Sequence, residues 1–91
     1  MSEAAFTVAW TGPAQRALRK LPEKAAVAAC EFIYGSLAGN PQRVGKSLRQ
    51  ELAGLHSARR GDYRVIYRIN TDEHQVEIVA IEHRADAYRP R

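Results

Sequence analysis

The chain has 91 residues, 45% of them hydrophobic and 26% charged, and a formal net charge of +4. This length allows one domain with one modest core, and we expect that domain to span residues 1–91. The single cysteine, Cys30, excludes an intrachain disulfide framework and leaves no Cys/His cluster with zinc spacing. With no signal-peptide pattern and no run of ~18 apolar residues, we expect a cytoplasmic protein that does not engage a membrane.

Positive charge is concentrated in the segment Gln42–Arg68. This segment has a net charge of +5, so the remaining 64 residues sum to −1. Its cations are Arg43, Lys46, Arg49, Arg59, Arg60, Arg64 and Arg68. Arginine outnumbers lysine eleven to three, which favours planar recognition of phosphate or carboxylate over a face that only aids solubility. The segment therefore predicts a polyanionic partner, either nucleic acid or an acidic protein.

The first half of the chain predicts one strand followed by two helices. Residues Phe6–Trp10 alternate as a strand does, and Thr11-Gly-Pro13 has a hydroxyl cap and an early proline typical of a helix start. A second helix is expected to begin at Pro22 and to end before Gly39-Asn40-Pro41. Its predicted apolar stripe comprises Val27, Cys30, Ile33, Tyr34 and Leu37.

The second half predicts three strands after a polar connector at 42–49. They lie within Leu52–Arg59, at Tyr63–Ile69 and at Val76–His83, with links short enough for antiparallel hairpins. The order β-α-α-β-β-β indicates an α+β fold in which a helical hairpin packs on a four-stranded, mainly antiparallel sheet.

Strict alternation in the middle strand predicts two different faces. Tyr63, Val65, Tyr67 and Ile69 are expected under the helices, so Arg64 and its alternate neighbours are expected on an open face. The last strand would present there either Val79, Ile81 and His83 or Ile78, Ala80 and Glu82.

Composition alone supports only a basic binding surface, but the side chains expected on the open face form a set that could cleave phosphodiesters without a metal. Arginines can neutralise a developing phosphorane, and a histidine or tyrosine can transfer protons or stack on a base. We expect Arg64, His83, Arg84 and Tyr88 to converge there with residues of the 56–60 segment. No paired acids of the two-metal type lie in this basic region, so no metal or other cofactor is expected. Taken alone, a histidine at a strand end such as His83 is more often an ordinary surface histidine, and Tyr88 could close the core as a C-terminal hydrophobic lid.

The runs GKSLRQELAGLHSARRGDYRVIYRI and VEIVAIEHRADAYR, together with the earlier LRKLP, resemble the RelE/ParE superfamily of bacterial toxins. The resemblance covers most of the chain and is greatest for the RelE branch as found in actinobacteria. It implies the toxin of a type II toxin–antitoxin pair. Such a toxin is a ribosome-dependent, metal-independent endoribonuclease that cleaves A-site codons by attack of the RNA 2′-hydroxyl, inhibits translation and growth, and is neutralised by its antitoxin.

The resemblance also implies roles for individual residues. Arg64 corresponds to the arginine that stabilises the scissile phosphate, Arg84 to a C-terminal arginine, and Tyr88 to a terminal tyrosine that positions the substrate. Where the best-studied enzymes have two lysines, this chain has Leu55, His56 and Ser57, so His56, His83 and Lys46 are the candidates for the general base. The expected RNA-binding cations are Lys46, Arg49, Arg59, Arg60 and Arg68.

The implied partners are a RelB-like antitoxin, the 70S ribosome with its mRNA, and operator DNA reached indirectly through the antitoxin. Two other functions stay open at this point. One is a ParE-like toxin that inhibits DNA gyrase, and the other is a catalytically weak protein that binds an antitoxin and acts with it as a co-repressor.

Overall fold

The computed structural model describes residues 5–48 and 54–83. Its strands are β1 (Thr7–Trp10), β2 (Lys46–Ser47), β3 (Leu55–Arg60), β4 (Tyr63–Asn70) and β5 (Gln75–His83). Its helices are α1 (Gly12–Lys20), α2 (Glu23–Phe32), which continues into a π-helical turn (Ile33–Leu37), and α3 (Pro41–Val44). The predicted α+β order is confirmed, and α3 and β2 occupy the segment expected to be a polar connector.

The strands form one mixed sheet in the order β1-β5-β4-β3-β2. Strands β2 to β5 pair antiparallel with their neighbours, whereas β1 lies parallel to β5 at the other edge. The sheet therefore has five strands rather than the predicted four. The additional strand, β2, is only two residues long, too short to produce an alternating pattern in the sequence.

Helix α1 begins where the sequence predicts and is anchored to β5 through its N-cap residue. The hydroxyl oxygen of Thr11 accepts a hydrogen bond from the Ala14 amide at 3.2 Å, a typical N-cap. The same hydroxyl lies 3.1 Å from the carbonyl oxygens of both Ile78 and Val79, and the Thr11 amide donates to the Ile78 carbonyl at 3.1 Å. The helix start is thereby fixed to the middle of β5.

The second helix faces the sheet with a different stripe from the one predicted. Ala29, Ile33 and Leu37 are fully buried at a spacing of four residues, whereas Val27 is 52% and Tyr34 is 56% exposed. The π turn at Ile33–Leu37 contains more residues per turn than an α-helix, which keeps the buried positions aligned along one line. The prediction was therefore correct for Ile33 and Leu37 and wrong for Val27 and Tyr34.

The core lies between the helices and one face of β4, as predicted. Tyr63, Val65 and Tyr67 are buried in it, and Ile69 packs against its border. The two-residue turn that joins β3 to β4 contains Gly61, whose φ of +60° suits glycine and matches a tight hairpin turn. Arg64 therefore lies on the open face, as the alternation of β4 requires.

A bulge in β5 changes which of its side chains reach each face. Ile66 pairs with Ala80 but the next residue, Tyr67, pairs with Ile78, so one residue of β5, Val79, has no opposite partner. Before this point Val76 and Ile78 face the core, and after it Ile81 does. Such an extra residue reverses the alternation of the strand beyond it.

Candidate functional site on the open sheet face

The open face of the sheet carries a row of three charged side chains near the β3–β4 turn. Arg59 on β3 is paired with Arg64 on β4, and Arg64 is paired with Glu82 on β5. Residues paired across strands share a face, with their Cβ atoms about 4.5–5.5 Å apart. We call this Arg59–Arg64–Glu82 row the charged rung. It has two cations and one carboxylate.

Arg64 and Glu82 form an ion pair at the surface. The Nε and Nη2 atoms of Arg64 both donate to Oε1 of Glu82, and the distance from Nε is 3.2 Å. The side chains are 44% and 46% exposed, so both remain accessible to a ligand. No hydrogen bond of the described residues engages Glu82 Oε2 or Arg64 Nη1.

A second arginine–glutamate pair lies on the same face, closer to the other end of β4. Arg68 Nη1 is 2.7 Å from Glu77 Oε1. Across β3 this arginine is paired with Leu55 rather than with another cation. Between the two rows, Lys46 on β2 is paired with Ser57, which adds a further cation to the face. Lys46, Arg59, Arg64 and Arg68 therefore share the open face.

His56 lies on the opposite face, at the border of the core. It is paired with Tyr67, and the two rings stack with centroids 5.4 Å apart. Its Nδ1 is buried without a hydrogen-bond partner among the described residues. His56 is thus separated from Arg64 by the thickness of the sheet.

Tyr67 joins this border to the connector that precedes β2. Its hydroxyl donates to the carbonyl of Pro41 at 2.6 Å, and burial raises the pKa of the phenol to about 12. Gly45 packs so closely that an added Cβ would lie 2.8 Å from the Ser57 carbonyl and would also overlap the Tyr67 hydroxyl. The buried phenol therefore fixes the segment that carries Lys46 onto the open face.

His83 and Arg60 also lie on the helix-covered face. His83 is paired with Tyr63 and lines a cavity of about 490 Å³ between α1 and β5, beside Ile81. The Arg60 guanidinium lies over the Phe32 ring, 5.7 Å from its centroid. Burial raises the pKa of Tyr63, an effect that nearby Arg60 partly offsets. The expectation that Arg64 and His83 would converge is wrong, because the β5 bulge turns His83 to the other face.

Three of the expected site residues, Arg49, Arg84 and Tyr88, lie outside the described residues. Within 5–48 and 54–83, no group of three or more His, Cys, Asp or Glu side chains is placed to hold a metal ion. No helix in the same two ranges has the length and apolar composition needed to cross a membrane.

Glu82 is the residue of the open face to which the sequence assigned no role. It was one of two alternatives for the face of β5, and the structure selects it together with Ala80 but not with Ile78. The sequence indicated only that Glu82 lies near the end of β5, opposite the start of β4. The bulge that decides its orientation has no sequence signature here.

Comparison with known proteins agrees with the fold just described. The profile of the family described as ParE toxin of type II toxin-antitoxin system, parDE, matches residues 8–88. Two curated relatives from Mycobacterium tuberculosis are similar over 84 residues, or 92% of this chain. Toxin RelE is 55% identical, with 87% of its length covered, and Toxin RelG is 51% identical, with 97% covered.

Among solved structures, the toxin–antitoxin complex RelBE2 of M. tuberculosis contains a similar chain. The two chains superpose with a TM-score of 0.88 at 49% sequence identity, and the match covers 91% of this chain and 95% of that one. A chain of the RelE-RelB complex of Pyrococcus horikoshii matches at 26% identity with a TM-score of 0.69, covering 89% of this chain and 97% of that one. The protein therefore belongs to the ParE/RelE family of type II toxin–antitoxin toxins, and within it to the RelE branch.

Proposed function

We propose that this toxin is a metal-independent endoribonuclease that cleaves mRNA in the A site of the 70S ribosome and so inhibits translation and growth. The observation that carries the proposal is the charged rung, in which Arg59 and Arg64 face each other across the sheet and are both at least partly exposed. Like charges placed directly opposite each other across a sheet destabilise it. An anionic ligand between them converts this repulsion into attraction.

The chemistry that suits this arrangement is attack of a ribose 2′-hydroxyl on the adjacent phosphate. As the O2′–P bond forms, the phosphate becomes a phosphorane with an additional negative charge. The guanidinium of Arg64 can stabilise that charge, and Arg59 and Lys46 extend the positive surface along the RNA backbone. The nucleophile belongs to the RNA, so the protein need only position and stabilise the reacting groups.

The same face suits a second role as the binding surface for an antitoxin. The named relatives include chains solved as RelB–RelE complexes, which supports a RelB-like partner for this toxin. An acidic or capping segment laid over the charged rung would neutralise the toxin by occlusion. Operator DNA would then be bound indirectly, through the antitoxin, and the pair would repress its own operon. Co-purification with the product of the adjacent small gene tests this partnership.

The decisive experiment is cleavage of ribosome-bound mRNA by purified wild-type and variant proteins. Arg64→Ala should lower the cleavage rate by ~10²–10³ while preserving the circular dichroism spectrum, as expected when one preorganised donor is lost. Arg68→Ala should weaken RNA binding but lower the cleavage rate less than Arg64→Ala does. Arg68 is paired with Leu55, so its row lacks the second cation that the charged rung has. Arg19→Ala, an exposed change on α1, controls for net charge and should have no effect.

The family profile carries the ParE description, so gyrase inhibition is the second candidate function. The charged rung favours the nuclease because it offers a phosphate-binding arrangement on an open face. A wild-type protein that cleaves no ribosome-bound mRNA but inhibits supercoiling by DNA gyrase would assign the chain to the second function. A protein that does neither, yet binds its antitoxin and its operator, would indicate a co-repressor that lacks catalysis.

A further inference from the structure

We propose that Glu82 is the general base of the cleavage reaction, accepting the proton of the RNA 2′-hydroxyl. This inference rests on the nuclease function proposed above. It assigns a residue to proton removal, a step for which neither histidine is suitably placed. The observations that carry it are the positions of three side chains relative to Arg64.

The first observation is the geometry of the Arg64–Glu82 pair. Both contacts from Arg64 reach the same carboxylate oxygen, Oε1. No hydrogen bond among the described residues engages Oε2, and we assign this oxygen as the proton acceptor. A phosphate held by Arg64 therefore places its neighbouring 2′-hydroxyl within a few ångströms of a carboxylate. A general base must be within hydrogen-bond reach of the proton it removes.

The second observation is that the two histidine candidates are on the other face of the sheet. His56 stacks on the buried Tyr67, and His83 lines the cavity under α1. Neither side chain can reach a phosphate bound at Arg64 without rotation of its strand. Lys46 shares the open face but belongs to the rung of Ser57, one row away from the charged rung.

The third observation is an internal comparison on the same face. Arg68 and Glu77 form the same kind of pair, but their β3 neighbour is Leu55. In the charged rung the neighbour is Arg59, so this row contains two cations and one carboxylate. The excess charge makes this rung, rather than the other, the place where a phosphate and a base are held together.

The proposed reaction is a transesterification within the RNA. The 2′-O–H bond breaks and its proton moves to Glu82, while the 2′-oxygen bonds to phosphorus. The P–O5′ bond then breaks, and the departing 5′-oxygen takes a proton from water. The products are a 2′,3′-cyclic phosphate and a 5′-hydroxyl, and Glu82 returns its proton to solvent. Arg64 and Arg59 hold the phosphorane throughout.

The test is the pH dependence of single-turnover cleavage on programmed ribosomes between pH 6 and pH 8.5. Wild-type protein should show a nearly constant rate across this range, because a carboxylate held beside the bound phosphate removes the need for hydroxide. Glu82→Gln should lower the rate by ~10²-fold or more, the usual contribution of a general base. Its rate should then rise about tenfold per pH unit, as hydroxide replaces the missing base.

Two further variants sharpen the test. Glu77→Gln breaks the matched ion pair and should keep both the rate and the flat profile. Glu82→His should restore part of the rate and introduce a midpoint near about 6.5, the ordinary pKa of histidine. A merely structural carboxylate would produce neither the hydroxide-dependent slope nor the new midpoint.

The outcomes separate this inference from the function on which it rests. If the wild-type protein cleaves, Arg64→Ala does not, and Glu82→Gln keeps its rate, then the nuclease stands and Glu82 is not the base. A Glu82→Gln protein that is slow but has a flat profile gives Glu82 a structural role and also overturns the inference. If the wild-type protein cleaves nothing, the proposed function itself fails.

Discussion

Tyr67→Phe removes one buried oxygen and thereby tests how the connector that carries Lys46 is held. The Tyr67 ring is fully buried, and its hydroxyl donates to the Pro41 carbonyl at 2.6 Å. Phenylalanine preserves the ring but leaves that carbonyl without its donor. An unsatisfied buried polar group costs about 1–3 kcal/mol, so we expect the free energy of unfolding to fall by about 2 kcal/mol.

This change should be visible in thermal unfolding. A destabilisation of 1 kcal/mol lowers Tm by about 4–8 °C in a domain of this size, so about 2 kcal/mol corresponds to roughly 8–16 °C. Tyr34→Phe is a matched control, because the Tyr34 hydroxyl accepts a hydrogen bond from Trp10 Nε1 at 2.9 Å but its side chain is 56% exposed. Water can replace that contact, so the control should shift Tm by only a few degrees.

From the buried phenol of Tyr67 we also predict that the folded protein loses stability at alkaline pH. Burial raises the pKa of Tyr67 from 10.0 to about 12, so between these values the folded chain retains a proton that the unfolded chain has lost. The stabilisation is complete below pH 10 and is lost as pH rises through about 12. Two pKa units correspond to at most about 2.7 kcal/mol. The stability difference between wild type and Tyr67→Phe should therefore shrink across this range.

Urea unfolding at intervals from pH 8 to pH 11.5, with both proteins measured in parallel, checks the pH dependence. The common titration of lysines and of Tyr63 cancels in the difference. A Tyr67→Phe protein as stable as the wild type at pH 8, or a difference that stays constant up to pH 11.5, would refute the account of this buried hydroxyl.

Two further substitutions test the packing that positions the open face. Gly45→Ala should lower the free energy of unfolding by about 1–3 kcal/mol, because the new Cβ overlaps the Tyr67 hydroxyl and the Ser57 carbonyl; an unchanged denaturation midpoint would contradict this. Leu37→Ala, at a fully buried position in the π turn, should cost about 2–5 kcal/mol in urea unfolding, whereas Val27→Ala on the exposed side should cost less than about 0.5 kcal/mol.

Much of the fold follows from periodicity in the sequence. The alternation in Tyr63–Asn70 correctly separates the core side chains of β4 from Arg64, because one face of this strand packs in the core and the other faces solvent. The cap at Thr11 and the break at Pro22 likewise identify the helical hairpin. These features are local, so the sequence contains the information that determines them.

The features that the sequence did not predict depend on contacts between distant segments. The short strand β2 exists because Lys46 and Ser47 pair with β3, and nothing in those two residues favours a strand. The orientation of α2 depends on a π turn, which rotates Tyr34 outward although its spacing fits an apolar stripe. His56 was named as a candidate base because it stands where related enzymes have lysines, but the register of β3 turns it toward Tyr67.

The β5 bulge determines which side chains of this strand reach the charged rung. In a regular strand, Glu82 would share a face with Ile78 and would point into the core beneath α1. The extra residue at Val79 reverses the alternation, so Ile81 fills the core and the carboxylate of Glu82 reaches Arg64. Thr11 stabilises this irregularity by reaching the two carbonyls at the bulge. A cap at the start of the first helix therefore holds in place the strand distortion that assembles the charged rung.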